Sequence, residues 1–148
     1  MRFHVLRRGR LCFTLTVLIA AAGLFTDCGR RRPMAEHKGR IIPLTDTILD
    51  TGGTDTVRFG RLHSGEIAVL RLWLANRTER PLAVISYGRS CGCTTLDYDS
   101  EPITPGGMRQ VSLTFDSRGE RGWQLKTLDL HFTDGRRPLR LFVEAEIE

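Results

Sequence analysis

From Thr56 to Ile147 apolar and polar residues alternate with a period of two, and turn-forming residues interrupt the alternation at regular intervals. The clearest instance is Ile67 to Asn76, where Ala68, Leu70, Leu72 and Leu74 fall on one face and Val69, Arg71 and Trp73 on the other. Successive side chains of a strand point to opposite faces, so an arginine on the second face predicts a half-buried antiparallel strand. The same period runs through Met108 to Phe115 with Val111, Leu113 and Phe115 on one face, through Trp123 to Phe132 with Leu128, Leu130 and Phe132, and through Leu139 to Ile147 with Leu141 and Val143. Shorter strands are expected over Thr56 to Leu62 and Leu82 to Tyr87. Polar turns separate them at Leu62 to Glu66, Asn76 to Pro81 and Asp116 to Gly122, and Asp134-Gly135 reads as a two-residue hairpin turn. Two prolines and two glycines between Glu101 and Gly107 exclude a central strand there. About seven short strands with no helical period predict an antiparallel β-sandwich of immunoglobulin-like topology over residues 56–148. Its core is expected to hold Leu70, Leu72, Leu74, Val111, Leu113, Phe115, Leu128, Leu130, Leu141 and Val143.

The N-terminal part breaks this pattern. Met1 to Arg10 is basic and Leu11 to Phe25 is mostly apolar, a run shorter than the roughly 20 residues of a membrane-spanning helix. A basic stretch before a short apolar one is a secretory signal, so residues 1–27 are read as a signal peptide and the chain as exported. Cys28 follows the apolar run directly, as in a bacterial lipoprotein signal, with Asp27 where such signals carry a small residue. Cys28 is therefore the expected lipidation site, and the expected location is the cell envelope, anchored to the outer membrane or periplasmic. Arg30-Arg31-Arg32 beyond the apolar run speak against a retained anchor, because positive charge stays on the cytoplasmic side. Residues 28–55 carry charge, Gly52-Gly53 and few apolar residues, and read as a tether leading into a short first element. What remains is one domain's worth of chain.

The formal charge of +5 looks basic, but residues 1–28 supply three of those charges and leave +2 for the rest. Those charges are spread through the strands, so the clustered basic face of a nucleic-acid-binding protein is absent.

Chemistry concentrates at Ser90-Cys91-Gly92-Cys93-Thr94. In an extended strand, residues i and i+2 share a face about 6.6 Å apart, so Cys91 and Cys93 are neighbours by construction. A disulfide at that spacing requires the chain to pinch, and Gly92 tolerates a pinch. Three readings stay open: a redox pair, a two-thiolate metal clasp, or two small residues packed in a bend. Cu(I) suits paired thiolates, whereas zinc needs two further ligands that His63, His131 and scattered carboxylates do not supply by any local rule.

The order of features from Phe59 onward resembles a bacterial exported lipoprotein family of unknown function, domain of unknown function 1573. The resemblance is carried by Phe59-Gly60, the strand Leu72 to Asn76, Pro81-Leu82, the Ser90 to Thr94 motif, and Pro105-Gly106 before Val111 to Asp116. It covers roughly the last ninety residues. It implies an immunoglobulin-like sandwich related in shape to modules of cilia and sperm proteins, and an exported, often lipid-anchored location. It implies no reaction.

Neither a Gly-x-Ser-x-Gly elbow, nor His-Glu-x-x-His, nor a P-loop is present, and no base is evident for a nucleophilic cysteine. The sequence thus points away from an enzyme, a cofactor, a small-molecule substrate and nucleic acid. It favours an envelope module that meets the membrane through its lipid and binds a protein partner, with a thiol site at Cys91 and Cys93 as the alternative.

Overall fold

The computed structural model describes residues 39–148; the signal segment and Cys28 lie outside them. Eight strands and one short helix follow in order: β1 (Arg40–Leu44), α1 (Asp46–Thr51), β2 (Gly53–Leu62), β3 (Ile67–Asn76), β4 (Val84–Arg89), β5 (Thr94–Asp97), β6 (Met108–Asp116), β7 (Gly122–Phe132) and β8 (Leu139–Ile147). They form two four-stranded sheets, ordered β1-β3-β6-β5 and β2-β8-β7-β4. This is the immunoglobulin-like β-sandwich that the alternation predicts.

The core lies between the sheets and is filled by the residues that parity places inward. Leu72, Leu74, Val111, Leu113, Phe115, Leu128, Leu130, Leu141 and Val143 are buried, and Leu70 packs against them part-exposed. Phe59 of β2 meets Phe115 of β6 across the sandwich, ring centroids 5.6 Å apart. Between Arg58 and Arg61 the pairing of β2 with β8 slips, and Gly60 sits in that bulge at φ 76°, a conformation that a side chain would disfavour.

Three features depart from the expected fold. Both sheets are mixed: β1 pairs with β3 in parallel and β2 pairs with β8 in parallel, while the other pairings are antiparallel. Alternation reports which face a residue takes and carries no strand direction. Part of the stretch read as a tether is built into the sandwich: Ile42 and Leu44 of β1 and Leu49 of α1 are fully buried. The connection from β7 to β8 is six residues, 133–138, and not a two-residue turn. Leu49 O accepts hydrogen bonds from Arg136 N at 2.8 Å and Arg137 N at 3.2 Å, which holds the connection against α1.

Candidate functional site

The Ser90 to Thr94 motif carries the chain from β4, at the edge of one sheet, to β5, at the edge of the other. Its two ends are tied to the strands on either side. Ser90 N donates to Thr127 O at 3.0 Å, and Ser90 Oγ accepts from Thr127 N at 2.8 Å, so this one serine takes the place of a partner strand's rung on β7. At the other end Asp116 N donates to Cys93 O at 2.8 Å, and fully buried Thr94 donates through Oγ1 to Cys91 O at 3.3 Å. Arg89 adds a bond from Nη1 to Thr94 O at 2.9 Å. The Asp116 carboxyl is held below the ordinary aspartate range by side-chain and backbone hydrogen bonds from Arg118.

Between these anchors Cys91 and Cys93 are joined in a disulfide with their Cα atoms 5.2 Å apart, closer than an extended chain allows. Gly92 is exposed, and a Cβ there would meet nothing within 4 Å. Both cysteines are half-buried, and Cys93 packs against the core. Cys93 N donates to Cys91 Sγ at 3.0 Å. A ring closed through three residues constrains little of the unfolded chain, about 1.6 kcal/mol by loop-closure entropy against about 3 for a fifteen-residue loop. With both ends already hydrogen-bonded to strands, the bond adds little as a staple.

Two residues that the sequence reading missed complete the surroundings. Glu120, in the connection from β6 to β7, places Oε1 3.8 Å from Cys91 Sγ. Its other oxygen accepts from Lys126 Nζ at 3.0 Å, with both side chains about four-fifths buried. Lys126 lies on β7 at the parity of Leu128 and Leu130, a charge on the core face of a strand, and that parity is the signal from which it could have been found.

Cys91, Cys93 and Glu120 bring one ligand atom each within 4.8 Å of one another. While the disulfide is closed the sulfurs are bonded to each other and carry no thiolate, and the Lys126 ammonium occupies the carboxylate's second oxygen, so in this state the three residues do not offer a cation its ligands. His63 and His131 are exposed and are not part of it.

β7 is longer than the strand beside it. β4 pairs with β7 from Phe132 back to Leu128 and then leaves for the other sheet, so among the described residues no strand pairs with Gly122–Lys126 on that side. Strand residues direct N–H and C=O alternately to either side, and Thr127 directs both to Ser90. Leu125 and Trp123, two and four residues earlier, therefore direct theirs to the vacant side. Their side chains are 44% and 62% exposed.

A model of the family described as DUF1573, proteins of unknown function, matches residues 51–147. No curated protein matches the chain. Among solved structures, a protein of unknown function from Porphyromonas gingivalis W83 is similar with TM-score 0.53 and 20% identity, over 62% of this chain and 43% of that one. The chain thus spans less than half the length of that protein, and at this identity the likeness is one of fold. The ASH/PapD-like domain 7 of human CEP192 is similar with TM-score 0.45 and 16% identity, over 63% of this chain and 80% of that one.

Proposed function

The chain belongs to the DUF1573 family, and from that premise we propose that it is an exported interaction module, lipid-anchored through Cys28 in the cell envelope, that binds a protein partner. The observation that carries the reading is the open edge of β7. An extended segment laid beside Gly122–Lys126 would continue the sheet where β4 leaves it, taking the outward N–H and C=O groups of Trp123 and Leu125. The exposed Trp123 and Leu125 side chains supply the apolar contacts such a strand needs for affinity, and a large aromatic is the usual anchor of an interface. Binding Cu(I) at the cysteines, the competing reading, requires that the disulfide be opened first.

Site-specific photo-crosslinking in intact cells tests this. A photoreactive residue at Leu125 should yield one discrete adduct, and the same residue at His131, exposed on β7 where β4 already pairs with it, should yield none. Equal labelling from both positions, or none from Leu125, removes the edge as the binding site. Intact mass of the envelope-extracted protein tests the anchor: a mature chain beginning at an acylated Cys28 is expected, and an unmodified N-terminus elsewhere refutes it.

A further inference from the structure

We infer that the Cys91–Cys93 disulfide is a reversible electron acceptor for protein dithiols, with Glu120 and Lys126 as positioning residues that set the ionisation of Cys91 when the bond is open. The inference goes beyond the partner-binding reading and does not use the β7 edge.

The loop is built so that the bond can open without the fold opening. Ser90 and Thr94 hold its ends to β7 and to the motif's own backbone, and Cys93 O is held by Asp116 N, all independently of the sulfurs. Both cysteines are half-buried, so neither residue is sealed inside the core. The two sulfurs differ, because only Cys91 Sγ has an N–H donor shown on it, from Cys93 at 3.0 Å. A hydrogen bond to a developing thiolate stabilises it, and the sulfur that leaves as the better-stabilised thiolate leaves faster. Attack is therefore directed to Cys93 Sγ with Cys91 as the leaving sulfur.

The electron count closes with a dithiol as the reductant. A donor thiolate forms a bond to Cys93 Sγ, the Cys91–Cys93 bond breaks, and its electron pair goes to Cys91 Sγ. The donor's second thiolate then attacks the donor sulfur of the mixed disulfide and releases Cys93 as thiolate. The donor leaves as a disulfide, oxidised by two electrons that have passed to this chain, and the donor's two protons end on Cys91 and Cys93. Cys91 S–H then faces Glu120 Oε1, 3.8 Å away in the oxidised form.

The charged side chains bonded to Cys91, to Glu120 or to the motif's backbone are Glu120 from the β6–β7 connection, Lys126 from β7 and Arg89 from β4; Arg118 and Arg121 of the same connection and Asp129 and His131 of β7 have no bond to them. The Glu120 charge disfavours a Cys91 thiolate and the Lys126 charge offsets it, so removing either should act in opposite directions. A residue that merely packed would not give opposite signs.

The test uses the mature chain. Treatment with dithiothreitol followed by alkylation and intact mass should show two thiols more than the untreated chain, a glutathione redox buffer should restore the disulfide, and the melting temperature should be the same in both states. Thiols that appear only in denaturant, or a fold that melts on reduction, overturn the inference. Brief exposure to reduced glutathione with acid quenching should leave the adduct on Cys93, and an adduct on Cys91 overturns the direction of attack. In the reduced chain, the pH midpoint for alkylation of Cys91 should fall in Glu120→Gln and rise in Lys126→Met. Midpoints that coincide with the wild type remove both residues from the site.

Discussion

The side-chain amide of Asn76 donates to the backbone carbonyl of Ile103 at 2.8 Å, joining the end of β3 to a segment 27 residues later. The same nitrogen donates to Arg80 O at 2.8 Å, and the amide oxygen accepts from Thr78 N at 2.9 Å and Thr78 Oγ1 at 2.8 Å. Asn76 is fully buried, so every polar atom of its side chain is bonded to protein. Ile103 in turn exchanges two backbone bonds with Leu82, so one asparagine fixes both loops at this end of the sandwich.

Asn76→Ala should therefore destabilise the fold. It leaves Thr78 N without its partner, at about 1–3 kcal/mol for a buried polar group left unpaired, while Ile103 O keeps its bond from Leu82 N. Denaturant unfolding should show a loss of about 1–3 kcal/mol, whereas a loss well below about 1 kcal/mol would mean that water replaces the amide.

The strand from Ile67 to Asn76 was legible end to end, because a long alternating run fixes both period and face. β1 was not, because five residues containing Pro43 give no period, and what makes it a strand is its pairing with β3. β5 escaped for the same reason: Thr94–Asp97 is four residues, and its identity comes from β6. At the site, the cysteine pair was visible as a motif, yet its chemical neighbours arrive from 27 and more positions away. Glu120 has no local pattern at all, while Lys126 stood in plain view as a lysine on an inward-facing position.

Leu72→Ala checks the register of the core. Leu72 is 1% exposed between the sheets, and truncation of a buried leucine costs about 2–5 kcal/mol. A loss under about 1 kcal/mol would place β3 in the opposite register, since a slip of one residue exchanges its two faces.

Gly107→Ala should destabilise through backbone crowding. A Cβ at Gly107 would lie 3.0 Å from Thr104 O and 2.9 Å from Thr104 Oγ1, and Gly107 O is the acceptor for Asn76 N. Overpacking of this kind costs about 1–3 kcal/mol. A wild-type melting temperature in this variant would show that the turn can yield without disturbing β3.

Acid should act on the outer face of β7 and β8 through Asp129. Arg140 holds this carboxylate with two bonds, Nε to Oδ1 at 2.7 Å and Nη2 to Oδ2 at 2.8 Å, across the antiparallel pair. The hydrogen bond from Arg140 lowers the Asp129 pKa first, its charge and that of His131 add to the effect, and partial burial opposes them. Unfolded, the same carboxyl titrates near 4 on the ordinary scale, at about 3.9. With the folded value below the unfolded one, the pair's contribution is complete above about pH 4, declines as the pH falls below it, and is gone once the folded carboxyl is protonated. Solvent screens a pair this exposed, so its contribution at neutral pH is small. Asp129→Asn should accordingly melt slightly below the wild type at about pH 7, by a gap that narrows as the pH falls from about 4 towards about 2. A gap that stays constant between those two pH values would show that the aspartate contributes through its shape and not through its charge.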